Sequence, residues 1–191
     1  TTLRDGSSVG FNLRDGQHRI VDTVVRAVAS TAVNLVLDHP DTTVELERLS
    51  LWGNGNGVVS ARGDDGVRIV LRDLLVARNA SYGVYASAGS LALDHALVWD
   101  NQNGARDISG PVDQGPLVLR TNPFLHDPDN GDLRPTHRSP VIGRGASGGE
   151  LGAVPFDGDL RTAGLAGVLR EDLTLTAEES PHLIQGDLIV P

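Results

Sequence analysis

One short pattern comes round three times between residues 44 and 110, and it limits what this chain can fold into more than any other feature. It reads VELERLSLWGNGNGV over 44–58, IVLRDLLVARNASYGV over 69–84 and LALDHALVWDNQNGA over 91–105. Leu46 and Leu71 stand 25 residues apart, and Leu71 and Leu93 stand 22 apart. Self-similarity at a period in the twenties is the mark of a solenoid, in which each unit buries its apolar face only by stacking on the next.

Within each unit the alternation has the period of a strand. Val44 and Leu46, then Leu49 and Leu51, fall on alternate positions, and so do Ile69/Leu71 and Leu74/Val76. A polar pair breaks the phase between the two runs: Glu47-Arg48, Arg72-Asp73 and Asp94-His95. A corner is expected there, so that both runs keep an apolar side inward. Asn54, Asn79 and Asn101 recur after the second run. Stacked coils would set these amides in one column, each donating to the carbonyl of the next. Gly57, Gly83 and Gly104 follow, and are expected to supply a bend at positive φ.

These repeats resemble those of the right-handed parallel β-helix proteins, the pectate-lyase-like superfamily. The resemblance implies an all-β chain wound as a right-handed parallel β-helix. A leucine-rich repeat is the competitor at this length, since Leu46, Leu49, Leu51 and Asn54 fit its L-x-x-L-x-L-x-x-N run. It would need a helical segment next, and VVSARGDDG over 58–66 has no apolar helical face and is broken by Gly and Asp.

Composition removes other classes. The 191 residues carry a net charge of −9, with a pI near 5.0, which excludes a nucleic-acid surface. All 16 basic residues are Arg. There is no Cys, hence no disulfide framework and no thiolate metal site. No apolar run approaches the roughly 20 residues of a membrane span. The chain holds no Met, as expected of a piece cut from a longer polypeptide.

Three regions are expected: coils over 1–121, a loop-rich closing cap over 122–160, and a linker and strand over 161–191. The chain begins as if in mid-coil, at TTLRDG. Residues 19–38 read as a degenerate coil. A shift of 25 from Leu46 lands on Val21 and puts Val24 and Val33 inward, but sets Arg26 and Ala29 at an inward position and at the ladder position. The ladder therefore starts at Asn54, or this coil is offset by one residue. The LVLRT run over 117–121 is expected to open a last coil, with Leu119 standing 26 residues after Leu93. The segment from Asn122 to Phe156 resembles the closing stretch of secreted bacterial β-helix proteins in its N-P, D-N-G-D, S-P-x-I and G-A elements, although Gly143-Arg144-Gly145 replaces the usual Asp-x-Gly. Residues 173–191 resemble the opening strands of such a module.

Four groups of residues are candidates for function. Arg48, Asp73, Asp94 and His95 cluster at the corner and could act as acid and base; the same columns read equally as a ladder of ion pairs between coils some 4.8 Å apart. The pectinase-type motifs are incomplete: Asp64-Asp65 sits in a Gly-flanked turn, no Gly-His-Gly exists, and Arg-x-Lys is impossible without Lys. Trp52 and Trp99 share an outward column with Ala77 between them, about 10 Å apart, and could stack on sugar rings. Asp127, Asp129 and Asp132 have the spacing of a calcium loop, although Arg138 stands where the bidentate Glu would be; a simple Asx turn is the plainer reading. Leu183, Ile184, Leu188, Ile189 and Val190 alternate as an assembly strand that could pair with another copy or with a following β-helix module.

The function expected is that of a non-enzymatic structural rod, extracellular or on a bacterial cell surface, polymerising or adhering through its ends. The partners expected are other copies, a following module and possible glycan chains, with no cofactor beyond an optional calcium ion. A polysaccharide lyase or hydrolase fragment and a glycan-binding adhesin module are the alternatives.

Overall fold

The computed structural model describes residues 1–4, 8–62, 66–87, 91–158, 165–168 and 184–189. The repeats form two parallel sheets. The first contains β1 (Thr2–Arg4), β3 (Gln17–Arg26), β5 (Thr43–Trp52), β7 (Arg68–Ala77), β9 (Leu91–Trp99) and β11 (Val112–Gln114) in that order, with β12 (Val118–Leu119) also on β9. The second stacks β2 (Phe11–Arg14), β4 (Thr31–Val36), β6 (Asn56–Arg62), β8 (Val84–Ala86) and β10 (Ile108–Ser109). Each strand pairs in parallel with the corresponding strand of the neighbouring coil, so the chain is a parallel β-solenoid. No α-helix occurs among the described residues, and the leucine-rich alternative falls with it.

The corner lies at the polar pair. Its second residue adopts a left-handed backbone in every coil, with φ of 48° at Asp22, 51° at Arg48, 56° at Asp73 and 49° at His95. That conformation is uncommon without glycine, and short polar side chains such as Asp tolerate it best. It divides each long strand into two arms and lets both send apolar side chains inward. Leu46, Leu71 and Leu93 stack in register, as do Val44, Ile69 and Leu91, all at most 3 % exposed. Val33, Val58 and Val84 close the core from the second sheet.

The asparagines form the expected column. Asn54 Nδ2 donates to Asn79 Oδ1 (3.1 Å), and Asn79 Nδ2 donates to Asn101 Oδ1 (2.7 Å). The same oxygens accept the backbone N–H groups of Asn54 and Asn79 at 3.0 and 3.2 Å. Val28 N–H donates to Asn54 Oδ1 at one end; at the other, Asp107 Oδ1 accepts from both the backbone N and Nδ2 of Asn101. Each buried amide is thus satisfied without water.

The glycines serve a different purpose from the one expected. Gly104 does have a φ of 80°, but Gly57 and Gly83 lie outside the left-handed region. A Cβ on Gly83 would sit 2.5 Å from the Asp107 carbonyl oxygen and 2.7 Å from Asn101 Nδ2, so glycine is required by close coil-to-coil approach.

The outer coils differ from the sequence reading in register. Ile20, not Val21, lies opposite Leu46, so the first full coil is offset by one residue. Val25 is inward at 0 % exposure and Val24 turns outward; Val28 takes the ladder position, and Asn54 begins the ladder itself. In the last coil Val112, not Leu117, continues the inward row above Leu91, because the turn after Asn101 is short and closes on Asp107. Leu117 falls at the corner, its carbonyl accepting from Ala96 N–H.

Residues 122–158 pack along the side of the solenoid. The antiparallel pair β13 (Leu125–Asp127) and β14 (Asp132–Pro135) leads into loops whose Val141 and Leu151 bury against Leu75 and Leu97. Those leucines point outward from the second arms, so Leu74-Leu75-Val76 and Ala96-Leu97-Val98 are buried on both faces. Ser139 Oγ donates to the Pro123 carbonyl and ties the segment's ends together. Two further strands, β15 (Leu165–Val168) and β16 (Ile184–Ile189), pair in parallel as a separate sheet.

Two substitutions test this architecture in denaturant melts. Leu71→Ala removes a fully buried side chain and is expected to cost about 2–5 kcal/mol. Asn79→Ala orphans buried donors of Asn54 and is expected to cost about 1–3 kcal/mol. The exposed amide pair of Asn34 and Asn12 supplies the contrast: Asn34→Ala should stay within about 0.5 kcal/mol.

Candidate functional site

The corner column is held by ion pairs. Arg48 grips Asp22 of the preceding coil with two bonds, Nε to Oδ1 at 2.6 Å and Nη2 to Oδ2 at 3.0 Å, and also donates to Glu47. Arg19 reaches Glu47 Oε2 at 2.9 Å. The Arg48 guanidinium holds the Asp22 carboxyl below its ordinary value of 3.8, and Arg19, with Arg48, does the same to Glu47 below 4.5. The one-residue offset puts Asp22, not Thr23, in the Arg48 column, and Arg48 turns back to Asp22 rather than onward to Asp73.

Asp73 has another task. It is 2 % exposed, and its Oδ1 accepts the N–H of Ala146 at 2.7 Å, while its carbonyl accepts from Gly152 at 2.9 Å. Beside it, Ser50 Oγ accepts from Ala153 N–H at 2.9 Å. Gly152 lies so close that a Cβ would meet Ser50 Oγ at 2.7 Å and Leu75 Cβ at 3.0 Å, which accounts for the Gly-Ala dipeptide. Asp73 is therefore a docking point for the side segment. Asp94 Oδ1 accepts the backbone N–H of His95 at 2.8 Å, and its Oδ2 lies 2.9 Å from His95 Nδ1. The four corner candidates are brought together in register; Arg48 contacts the preceding coil, Asp73 the side segment, and Asp94 and His95 each other.

The calcium reading does not fit the geometry. Asp127 accepts two bonds from Asn130 Nδ2, at 3.0 and 2.9 Å, around the 3-10 turn Pro128–Asn130. Asp132 is held by Arg134, with Nη2 to Oδ2 at 2.6 Å, which lowers the Asp132 pKa. Among the described residues no group of three or more acidic, His or Cys side chains is placed to hold a metal. Asp127 is thus engaged by the Asn130 amide and Asp132 by the Arg134 guanidinium.

Trp52, Ala77 and Trp99 do share one outward column. What the sequence did not show is the cover over them. Trp52 is only 6 % exposed and packs with Ala77 and Leu133, while Trp99 and Leu125 lie at the edge of that cluster. The pair is no open stacking platform. It forms one wall of a cleft of about 250 Å³, faced by Phe124, Leu125 and Pro128 and rimmed by Arg78, Asn122 and Asp129. Arg78, Asn122 and Phe124 were not singled out from the sequence. The usable signal was the unbroken apolar run at Leu74–Val76 and Ala96–Val98, which marks a strand covered on both sides.

Of the assembly strand, Ile184 and Ile189 lie in β16 opposite Leu165 and Val168 of β15, and Leu188 lies opposite Gly167. Ile189 is 52 % exposed. Leu183 and Val190 lie outside the described residues, as does the Asp64-Asp65 pair. No family model, curated protein or solved structure gives a significant match to this chain, and its assignment stands at the level of a parallel β-solenoid.

The depressed carboxyls fix the direction of the acid response. Asp22, Glu47 and Asp132 have folded-state pKa values below their unfolded ones. Their contribution is complete above pH 3.8–4.5 and is lost as pH falls through the folded values. Asp22→Asn should flatten that acid limb in melts run from pH 7 to 2. At neutral pH its cost should be about 0.2–1 kcal/mol, the range for an exposed pair.

Proposed function

We propose that this chain is a structural unit, a right-handed parallel β-solenoid that stacks end to end with other copies or with a following module of the same kind. The observation that carries this reading is the open edge at the last coil. Among the described residues no strand lies beyond β10, β11 and β12. Parallel edges of this kind accept further strands unless covered. The apolar rows continue to this edge, where Ile108, Val112 and Val118 pack on the core but are only partly buried. One more coil there would complete their burial. A head-to-tail contact of this type does not close and extends as a filament.

The tail supports continuation of the same architecture. β15 and β16 pair in parallel, as strands of adjacent coils do and the strands of a hairpin do not. The rival enzymatic reading draws least support from Asp73 and Arg48, which hold the side segment and the neighbouring coil. An extracellular or bacterial surface setting, with adhesion as part of the work, rests on the resemblance of the repeats and of the closing segment to secreted β-helix proteins.

Light scattering over a concentration series up to about 1 mM tests the proposal, since weak edge pairing becomes visible in that range. The full chain should gain mass with concentration. Val112→Glu, which sets a charge in the last apolar row, should abolish the gain, and truncation after Gly167 should reduce it. A full chain that stays monomeric throughout would defeat self-stacking. Depolymerisation of an acidic polysaccharide that is lost in both Asp73→Ala and His95→Ala would replace the reading with the enzymatic one.

A further inference from the structure

We propose that the cleft between the side segment and the second arms of the first sheet binds a neutral saccharide. Its walls are aromatic, with Trp52 and Trp99 on the solenoid and Phe124 on the side segment. Phe124 is a bulky residue held at a φ of 46°, where such residues are genuine outliers. Its backbone is fixed on both sides: the N–H donates to Asn122 Oδ1 at 2.8 Å, and the carbonyl accepts from Thr136 N and Oγ1 at 2.9 and 2.7 Å. Strain that the surroundings over-determine concentrates at binding sites. Here it leaves a 37 % exposed ring at the cleft, with Arg138 lying 5.0 Å from its centroid.

The rim decides the class of ligand. Arg78, whose Nη1 donates to Asp100 Oδ2 at 2.8 Å, has further guanidinium donors, Asp129 supplies an acceptor, and Asn122 carries Nδ2 donors beside an Oδ1 that accepts from Phe124 N–H. An apolar ligand would desolvate these groups without replacing their hydrogen bonds. A cation would face Arg78, and an anion would face Asp129 in a chain of net charge −9. A pyranose ring meets both demands: its C–H face lies on aromatic carbon, and its hydroxyls both donate and accept. The cleft, about 250 Å³, is below the usual range for larger ligands and suits a single ring. A second hollow of about 250 Å³, lined by Arg78, Asp100, Gln102 and Asn103, shares Arg78 with the first, so a second sugar unit has a polar place to follow.

The chain's two tryptophans both line the cleft, which makes intrinsic fluorescence a local reporter. The probes are the methyl glycosides of glucose, galactose and mannose, with cellobiose and lactose as disaccharides. Saturable fluorescence change is expected with at least one neutral glycoside, at a Kd of about 1 mM, and a corresponding disaccharide should bind more tightly. Phe124→Ala and Asp129→Asn should each weaken it by about tenfold or more, with melts confirming the fold. Should Phe124→Ala fail to fold, Phe124→Leu and Asp129→Asn carry the test. No saturable change with any of the neutral probes up to about 50 mM would overturn the proposal. So would binding confined to glucosamine or glucuronate, or binding unchanged in Asp129→Asn and the folded Phe124 variant.

Discussion

The stacked amides of Asn54, Asn79 and Asn101 are the interaction on which the rest depends. Each lies at most 2 % exposed beside a bend where the chain leaves the first sheet for the second. A bend cannot satisfy all its own backbone groups, and a buried orphan costs more than a made bond gains. The ladder solves this by lending the Oδ1 of Asn79 and of Asn101 to the neighbouring coil's backbone and side chain together. It also fixes register: a slip of one residue would remove an amide from the column and turn the apolar rows outward. Asp107 ends the ladder with a carboxylate, which accepts but cannot pass a donor onward when ionised.

Register then determines where charge and strain can go. The left-handed corner recurs at Asp22, Arg48, Asp73 and His95, so their side chains project from one column. A column of like charges would repel across coils some 4.8 Å apart. The chain avoids this by pairing Arg48 with Asp22 and by burying Asp73 under the Ala146 N–H. Of the residues that look most like an acid–base cluster, Arg48 holds coil to coil and Asp73 holds the side segment to its coil.

The side segment in turn creates a recess. The outward Leu75 and Leu97 require cover, and Val141 and Leu151 supply it. Their seat is fixed by bonds to Ser50 and Asp73. Leu133 of the hairpin covers Trp52, while Trp99 and Phe124 both line the cleft. The stacked coils and the recess are thus products of the same packing.

Much of the coil architecture was legible in the sequence because it is periodic. The inward rows, the corner, the asparagine column and the Trp52–Ala77–Trp99 column all follow from residues that recur at matching places. The ends were less legible because periodicity fails there: the offset that makes Ile20 rather than Val21 inward leaves no trace in a degenerate coil, and Asp107 closes the ladder from six residues away. The motifs of the side segment could be seen, but not what they touch. Only tertiary structure could bring Ala146 to Asp73, 73 residues distant, or set Phe124 against Trp99. Repetition writes stacking into the sequence, since neighbours in space are equivalent in the repeat. Contacts between unlike segments have no such code and are decided when the chain packs.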